Sequence, residues 1–275
     1  MSRRKYGLIN AHIVAVIENE WAQMIRNRVI VLTTFGPPFL FVALALSVLY
    51  LSKWIDVNYV TIEKINQSLM QNLNTPETVL SHTDSIRAAL LNPFLLLFEM
   101  LPIVVPLTIA SYSIIGEKQS KSLETVLSTP IRTWELLVGK ALAAAIPGIA
   151  ATWYSFAVFV FAAKFAVSPL IYHNLILSPT WLITITVMTP IFTMFAVALG
   201  IIISSRVKDP QSAQQIGSII VLPLVAIMVG QILGFVALDE RIVLAVALVI
   251  GLVDVGLLAL AVRLFKRETI LTGWR

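Results

Sequence analysis

Cysteine is absent from this 275-residue chain, which excludes disulfides, thiolate metal sites and thiol nucleophiles. Charge is scarce. Asp, Glu, Lys and Arg together make up 13% of the residues, against about 25% in a soluble globular domain. The three histidines, His12, His82 and His173, are far apart, so no metal-ligand spacing exists. No G-x-x-x-x-G-K-[ST] occurs; Gly139-Lys140 lacks both the earlier glycine and the following hydroxyl. H-E-x-x-H and G-x-S-x-G are missing too. No catalytic, cofactor-binding or metal site of its own is therefore expected on the chain. Stretches of alternating apolar and polar residues, which mark a membrane barrel, are also lacking.

What the chain has is hydrocarbon. It is 58% hydrophobic, with a mean hydropathy of +0.87. Six apolar runs of spanning length, about 20 residues, occupy 29–51, 93–115, 141–163, 181–204, 216–238 and 242–262. In lipid each must satisfy its own backbone, so all six are helices. The fold class is then an all-α polytopic membrane protein, a single transmembrane domain over 1–275. Several starts carry a capping side chain before a proline: Asn92-Pro93, Ser178-Pro179 and Asp209-Pro210. Asp239 is placed to cap the sixth span and Thr133 the helix leading into the third.

Orientation is set by the basic residues. Six spans put both ends on one side, and that side holds fifteen of the twenty Lys and Arg. The other side keeps only Lys53, Lys64, Arg87, Lys164 and Arg241. By the positive-inside rule both termini are cytoplasmic. The net charge of +5 reflects that asymmetry, so nucleic acid is not an expected partner. Arg3-Arg4-Lys5 imitates the start of a leader, but Asn10, His12, Glu18 and Glu20 interrupt the apolar stretch after it, so a cleaved signal is not expected.

Residues 10–28 read as an amphipathic helix, with Ile13, Ile17, Trp21, Met24 and Ile25 at helical spacing. Its expected place is along the membrane surface, anchored by Trp21. Residues 52–92 form the small extracytoplasmic segment. Two acids fall inside apolar runs, Glu99 in the second and Asp254 in the sixth. A charge at mid-bilayer costs about 2.5–3.5 kcal/mol on insertion scales, so each faces a cavity, finds a partner or is protonated. Either a polar lining or a structural contact fits them. Pro102, Pro106, Pro147, Pro190 and Pro223 lie within spans, where each removes a backbone donor. Gly230-x-x-x-Gly234 permits close helix packing.

The stretch 116–133 differs from all of this. It is polar and helix-prone, and it sits between the second and third runs. Glu117, Lys118 and Glu124 are charged, while Leu123, Val126 and Leu127 make a compact apolar patch. Pro130 then stops the helix, and Ile131-Arg132 restarts the chain. A short helix of this kind, held at a membrane surface, fits a groove in a soluble partner.

The string from Gly116 to Lys140, GEKQSKSLETVLSTPIRTWELLVGK, resembles the signature of ABC type-2 permeases, the membrane subunits of ATP-binding-cassette exporters. The matching pieces are Glu117-Lys118, Leu123-Glu124-Thr125-Val126-Leu127, Ser128-Thr129-Pro130 and Glu135-Leu136-Leu137-Val138-Gly139-Lys140. The helix before Gly36-Pro37-Pro38 is similar to that family's elbow helix, and 263–268 to the exit of its last span. The resemblance implies that 116–133 is a cytoplasmic coupling helix docked on separate ABC ATPase subunits. ATP and magnesium would bind those subunits. It further implies a second permease copy or homologue completing the path, in the plasma membrane of a prokaryote. Lys121 stands where the family often has glycine, and the link at Asp239-Glu240-Arg241 is short. An ion-coupled secondary carrier using Glu99 and Asp254 is the alternative reading, and a non-transporting membrane scaffold is a third.

Overall fold

The computed structural model describes residues 2–51, 87–88, 90–120, 133–233, 235–236 and 238–264. Among them are six helices long and apolar enough to cross a membrane, and no strand. Helix α1 (Ser2–Arg26) precedes the first span, α2 (Arg28–Leu51). The second span consists of α3 (Phe94–Phe98) and α4 (Leu101–Gln119). The third lies in α5 (Thr133–Ala163). The fourth joins α6 (Pro179–Ile183) to α7 (Thr189–Arg206). The fifth is α8 (Pro210–Ser218) with α9 (Val221–Ile232), and the sixth is α10 (Glu240–Leu264).

Local chemistry explains where these helices start and break. Ser178 Oγ accepts from the Trp181 amide at 3.4 Å, Asp209 Oδ2 from Ser212 N at 2.9 Å, and Asp239 Oδ1 from Ile242 N at 2.8 Å. Asn92 does not cap the second span. Pro93 takes the cap position with no side-chain bond, because the helix begins one residue later than the proline rule suggests. Thr133 is already the first helical residue of α5.

Three spans are interrupted just ahead of a proline. Pro102 has no N–H for the Phe98 carbonyl, and the second span breaks at Glu99-Met100. Pro223 likewise has no N–H for the Ile219 carbonyl, which accepts from Leu222 N at 3.1 Å instead, and α8 gives way to α9 there. Before Pro190 the chain widens into a π-helical turn, Thr184–Met188. Continuing that register, the Ile185 carbonyl would face the missing N–H of Pro190. The Trp153 indole donates to that carbonyl instead, at 3.1 Å.

The second span is the centre of the bundle. Of its apolar window 83% is buried, against 17% for the fifth and sixth spans, which therefore present most of their surface outward. α4 and α7 run parallel in register. Thr189 donates to Glu99 at one end and Lys118 reaches the Ser205 carbonyl at the other, at nearly the same offset in sequence. α5 runs antiparallel to both. One turn of α4 is met from three sides by residues without side chains. A Cβ on Gly148 would lie 2.3 Å from Pro106, one on Gly217 2.2 Å from Leu107, and one on Gly200 3.0 Å from Ala110. Lipid supplies no hydrophobic drive between helices, so such backbone approach is what holds them together. The end away from α1 is closed by an aromatic core of Phe98, Phe156, Phe159 and Trp181. There the Phe159 and Trp181 rings stack at 6.1 Å.

Candidate functional site

The polar insert connects α4, which ends at Gln119, to α5, which begins at Thr133. Glu117 stands in the last turn of α4, and Lys140 two turns into α5. These two side chains meet. Lys140 Nζ lies 2.9 Å from Glu117 Oε1 and donates to Ser113 Oγ at 2.8 Å. It also makes a short contact with Glu20 Oε1 of α1. An ammonium has three protons, and here each has an acceptor. All three charged residues are under 9% exposed. Two carboxyl groups share one ammonium at this junction. Glu117 Oε2 has no partner among the described residues.

α1 is fixed to α5 along three turns. His12 Nδ1 and Glu135 Oε2 are 3.3 Å apart. A Cβ on Gly139 would lie 2.7 Å from Val16, so the two backbones approach closely there. Trp21 Nε1 donates to the Ala143 carbonyl at 3.0 Å. That carbonyl is free because its helical partner would be the nitrogen of Pro147, which has no hydrogen. The successive pairs advance together along both helices, so α1 runs alongside the first part of α5. The amphipathic segment thus packs its indole onto a proline-exposed carbonyl of its own chain rather than only anchoring at a membrane surface.

The end of α4 is held on its other side too. Lys118 Nζ lies 3.5 Å from the Ser205 and Val207 carbonyls, and Gln119 Nε2 donates to the Lys208 carbonyl at 3.0 Å. The corner between the fourth and fifth spans is therefore tied to the same helix end. The insert leaves a frame built from α1, α4, α5 and this corner.

Of the coupling residues read from sequence, Glu117 and Lys118 belong to this frame. Leu123, Glu124, Val126, Leu127, Pro130, Ile131 and Arg132 lie outside the described residues. Sequence reasoning does not single out Glu20 or Ser113, and it marks Lys140 only as a motif residue on the basic side. The available signal is an acid and a base, Glu117 and Lys140, just inside the apolar edges of the insert.

The two intramembrane acids do not form one site. Glu99 is fully buried at the break in the second span, and Thr189 Oγ1 donates to its Oε1 at 3.2 Å. Thr189 lies at the π turn of the fourth span, so this bond joins two helix interruptions. Asp254 is 6% exposed on α10, and its Oδ1 has no partner among the described residues. Gly230 lies in the last turns of α9, which ends at Ile232. Its carbonyl accepts from Phe235 N at 2.8 Å, and a Cβ there would sit 2.9 Å from Val236. The close approach at Gly230 thus serves the chain's own return, and Gly234 falls outside the described residues.

The chain matches the family described as ABC-2 family transporter protein over residues 14–243. The matched stretch includes α1 from its second half, five of the six spans and the insert. No match to a curated protein accompanies it.

Proposed function

From the premise that this chain belongs to the ABC-2 transporter family, a multi-pass membrane component of transport, we propose that it is the permease subunit of an ATP-driven exporter. ABC ATPase chains carry ATP and magnesium and dock on 116–133. A second copy or a homologue completes the path across the membrane. In this reading both termini lie in the cytoplasm, which the crowding of basic residues on one side supports, and the membrane is the plasma membrane of a prokaryote.

One observation carries the coupling part of this reading. The two helix ends that frame the insert are pinned to each other and to α1 through Lys140. A force applied to the insert therefore reaches α1, the second span and the third span together. In an unframed loop the same force would be lost in local bending. Leu123, Val126 and Leu127 supply the apolar anchor for an ATPase groove, and Glu124 and Arg132 form its polar rim.

The test is Leu127→Asp. An unpaired carboxylate buried in that contact costs about 3–5 kcal/mol, so the variant remains in the membrane and loses the ATPase in a pull-down. Glu124→Ala, at the rim, weakens binding less. Wild-type ATPase binding together with wild-type transport for Leu127→Asp would remove the insert as the coupling element.

A further inference from the structure

A groove of about 980 Å³ runs between α2 and α5, at the upper end of the roughly 300–1,000 Å³ range of ligand sites. Trp21, Met24 and Ile25 of α1 close its near end, and Leu46 and Val158 mark its far end. Between Thr34 and Leu46 the α2 wall rises about 18 Å at 1.5 Å per residue. One leaflet of a bilayer's hydrocarbon is about 15 Å deep. The groove's length therefore matches a single leaflet, not the whole membrane.

Its wall selects for hydrocarbon. Ser155 is turned away, donating to the Ala151 carbonyl at 2.7 Å, and Thr34 is only 1% exposed. The surfaces left open are apolar: Phe39 is 79% exposed and Tyr154 72% exposed. Apart from the Tyr154 hydroxyl, the exposed lining offers a polar solute little to bond. The mouth is different. Arg26 and Arg28 flank the α1–α2 junction with exposed side chains and take part in no ion pair among the described residues. Arg28 sits six residues before Thr34, about 9 Å nearer the surface. That is a headgroup's place above an acyl chain, and basic residues at this depth attract anionic lipid.

We propose that this groove binds an acyl chain of an anionic phospholipid, drawn from the leaflet that borders α1, with the headgroup phosphate beside Arg26 and Arg28. The site is separate from the insert and does not depend on the ATPase.

The experiment uses the full chain in phosphatidylcholine vesicles. These are doped with a phosphatidylglycerol that bears a photoactivatable diazirine on one acyl chain. After irradiation, labelled peptides are mapped by mass spectrometry. The outward apolar face of α10, with Leu248 and Val255, is the internal control for ordinary lipid contact. Residues 35–46 and 146–158 should be labelled about fivefold above α10, the scale of one well-placed juxtamembrane charge. Ala150→Trp, which fills the groove, should bring that excess down to the α10 level. Arg26→Gln combined with Arg28→Gln should leave labelling by a phosphatidylcholine probe intact and abolish the phosphatidylglycerol preference, about fivefold for each charge removed. Equal labelling of the groove and α10 in the wild-type chain overturns the proposal. So does a groove that excludes the probe and cross-links to a second copy of the chain.

Discussion

Trp21 donates its indole proton to the Ala143 carbonyl, the acceptor that Pro147 leaves without a helical partner. One residue thereby repairs a backbone defect in another helix more than a hundred positions away. Trp21→Phe keeps the ring and loses the donor. It should cost about 1–3 kcal/mol, the cost of leaving a buried acceptor unmade, and lower the midpoint of thermal unfolding in detergent. In a Pro147→Ala background the helix supplies its own N–H, and the same substitution should cost much less. Equal costs in both backgrounds would show that the indole bond is not what holds α1.

Lys140 faces two carboxylates in a nearly dry junction. Lys140→Met leaves both acids without a cation and should destabilise the chain by about 3–5 kcal/mol. Adding Glu20→Gln and Glu117→Gln removes the stranded charge and should recover most of that loss. The check is the unfolding midpoint of the single and triple variants. If the triple variant is stable but transport is no longer tied to ATP hydrolysis, the frame acts in coupling and not only in folding.

Gly148 packs against Pro106 with no room for a methyl group, whereas Gly116 has nothing within 4 Å of its built Cβ. Gly148→Ala should therefore destabilise by about 1–3 kcal/mol through overpacking. Gly116→Ala should be neutral or stabilise by about 0.5–1 kcal/mol, the helix propensity difference. The two variants are compared by thermal unfolding in the same detergent, and equal midpoints would refute the close approach.

Glu99 has one described partner, Thr189. Thr189→Val deprives the carboxyl of its donor and should cost about 1–3 kcal/mol. Glu99→Gln keeps the size and a hydrogen-bonding oxygen and should fold normally. Transport by the Gln variant separates the two roles open to this residue. An unchanged rate makes Glu99 a clasp between helix interruptions, and a changed rate puts it on the path.

The spans were legible because twenty consecutive apolar residues admit few alternatives in lipid. The breaks were half legible. Pro102, Pro190 and Pro223 were visible as missing donors, but so were Pro106 and Pro147, which stay inside continuous helices. A replacement donor does not separate the two groups: Trp21 serves the carbonyl opposite Pro147 in a continuous helix, and Trp153 serves the Ile185 carbonyl at the π turn before Pro190. The junction at Lys140 was not legible as a junction. Its partners come from helices 120 and 23 residues away, and periodicity carries no information at that range. α1 was legible as amphipathic, but its apolar face fits α5 as well as it fits lipid. Only the bare Gly139 hinted at a close neighbour.

The glycine-lined grip on the turn 106–110 of α4 has a geometrical consequence. Pro106, Leu107 and Ala110 are clasped by three different helices at mid-length, while the two ends of the second span are held by a hydrogen bond or by charge. A helix clasped at its middle tilts about that point. Any displacement of the 116–119 end of α4 toward α1 is then matched by a displacement of its 101–103 end in the opposite sense, as with a beam on a fulcrum.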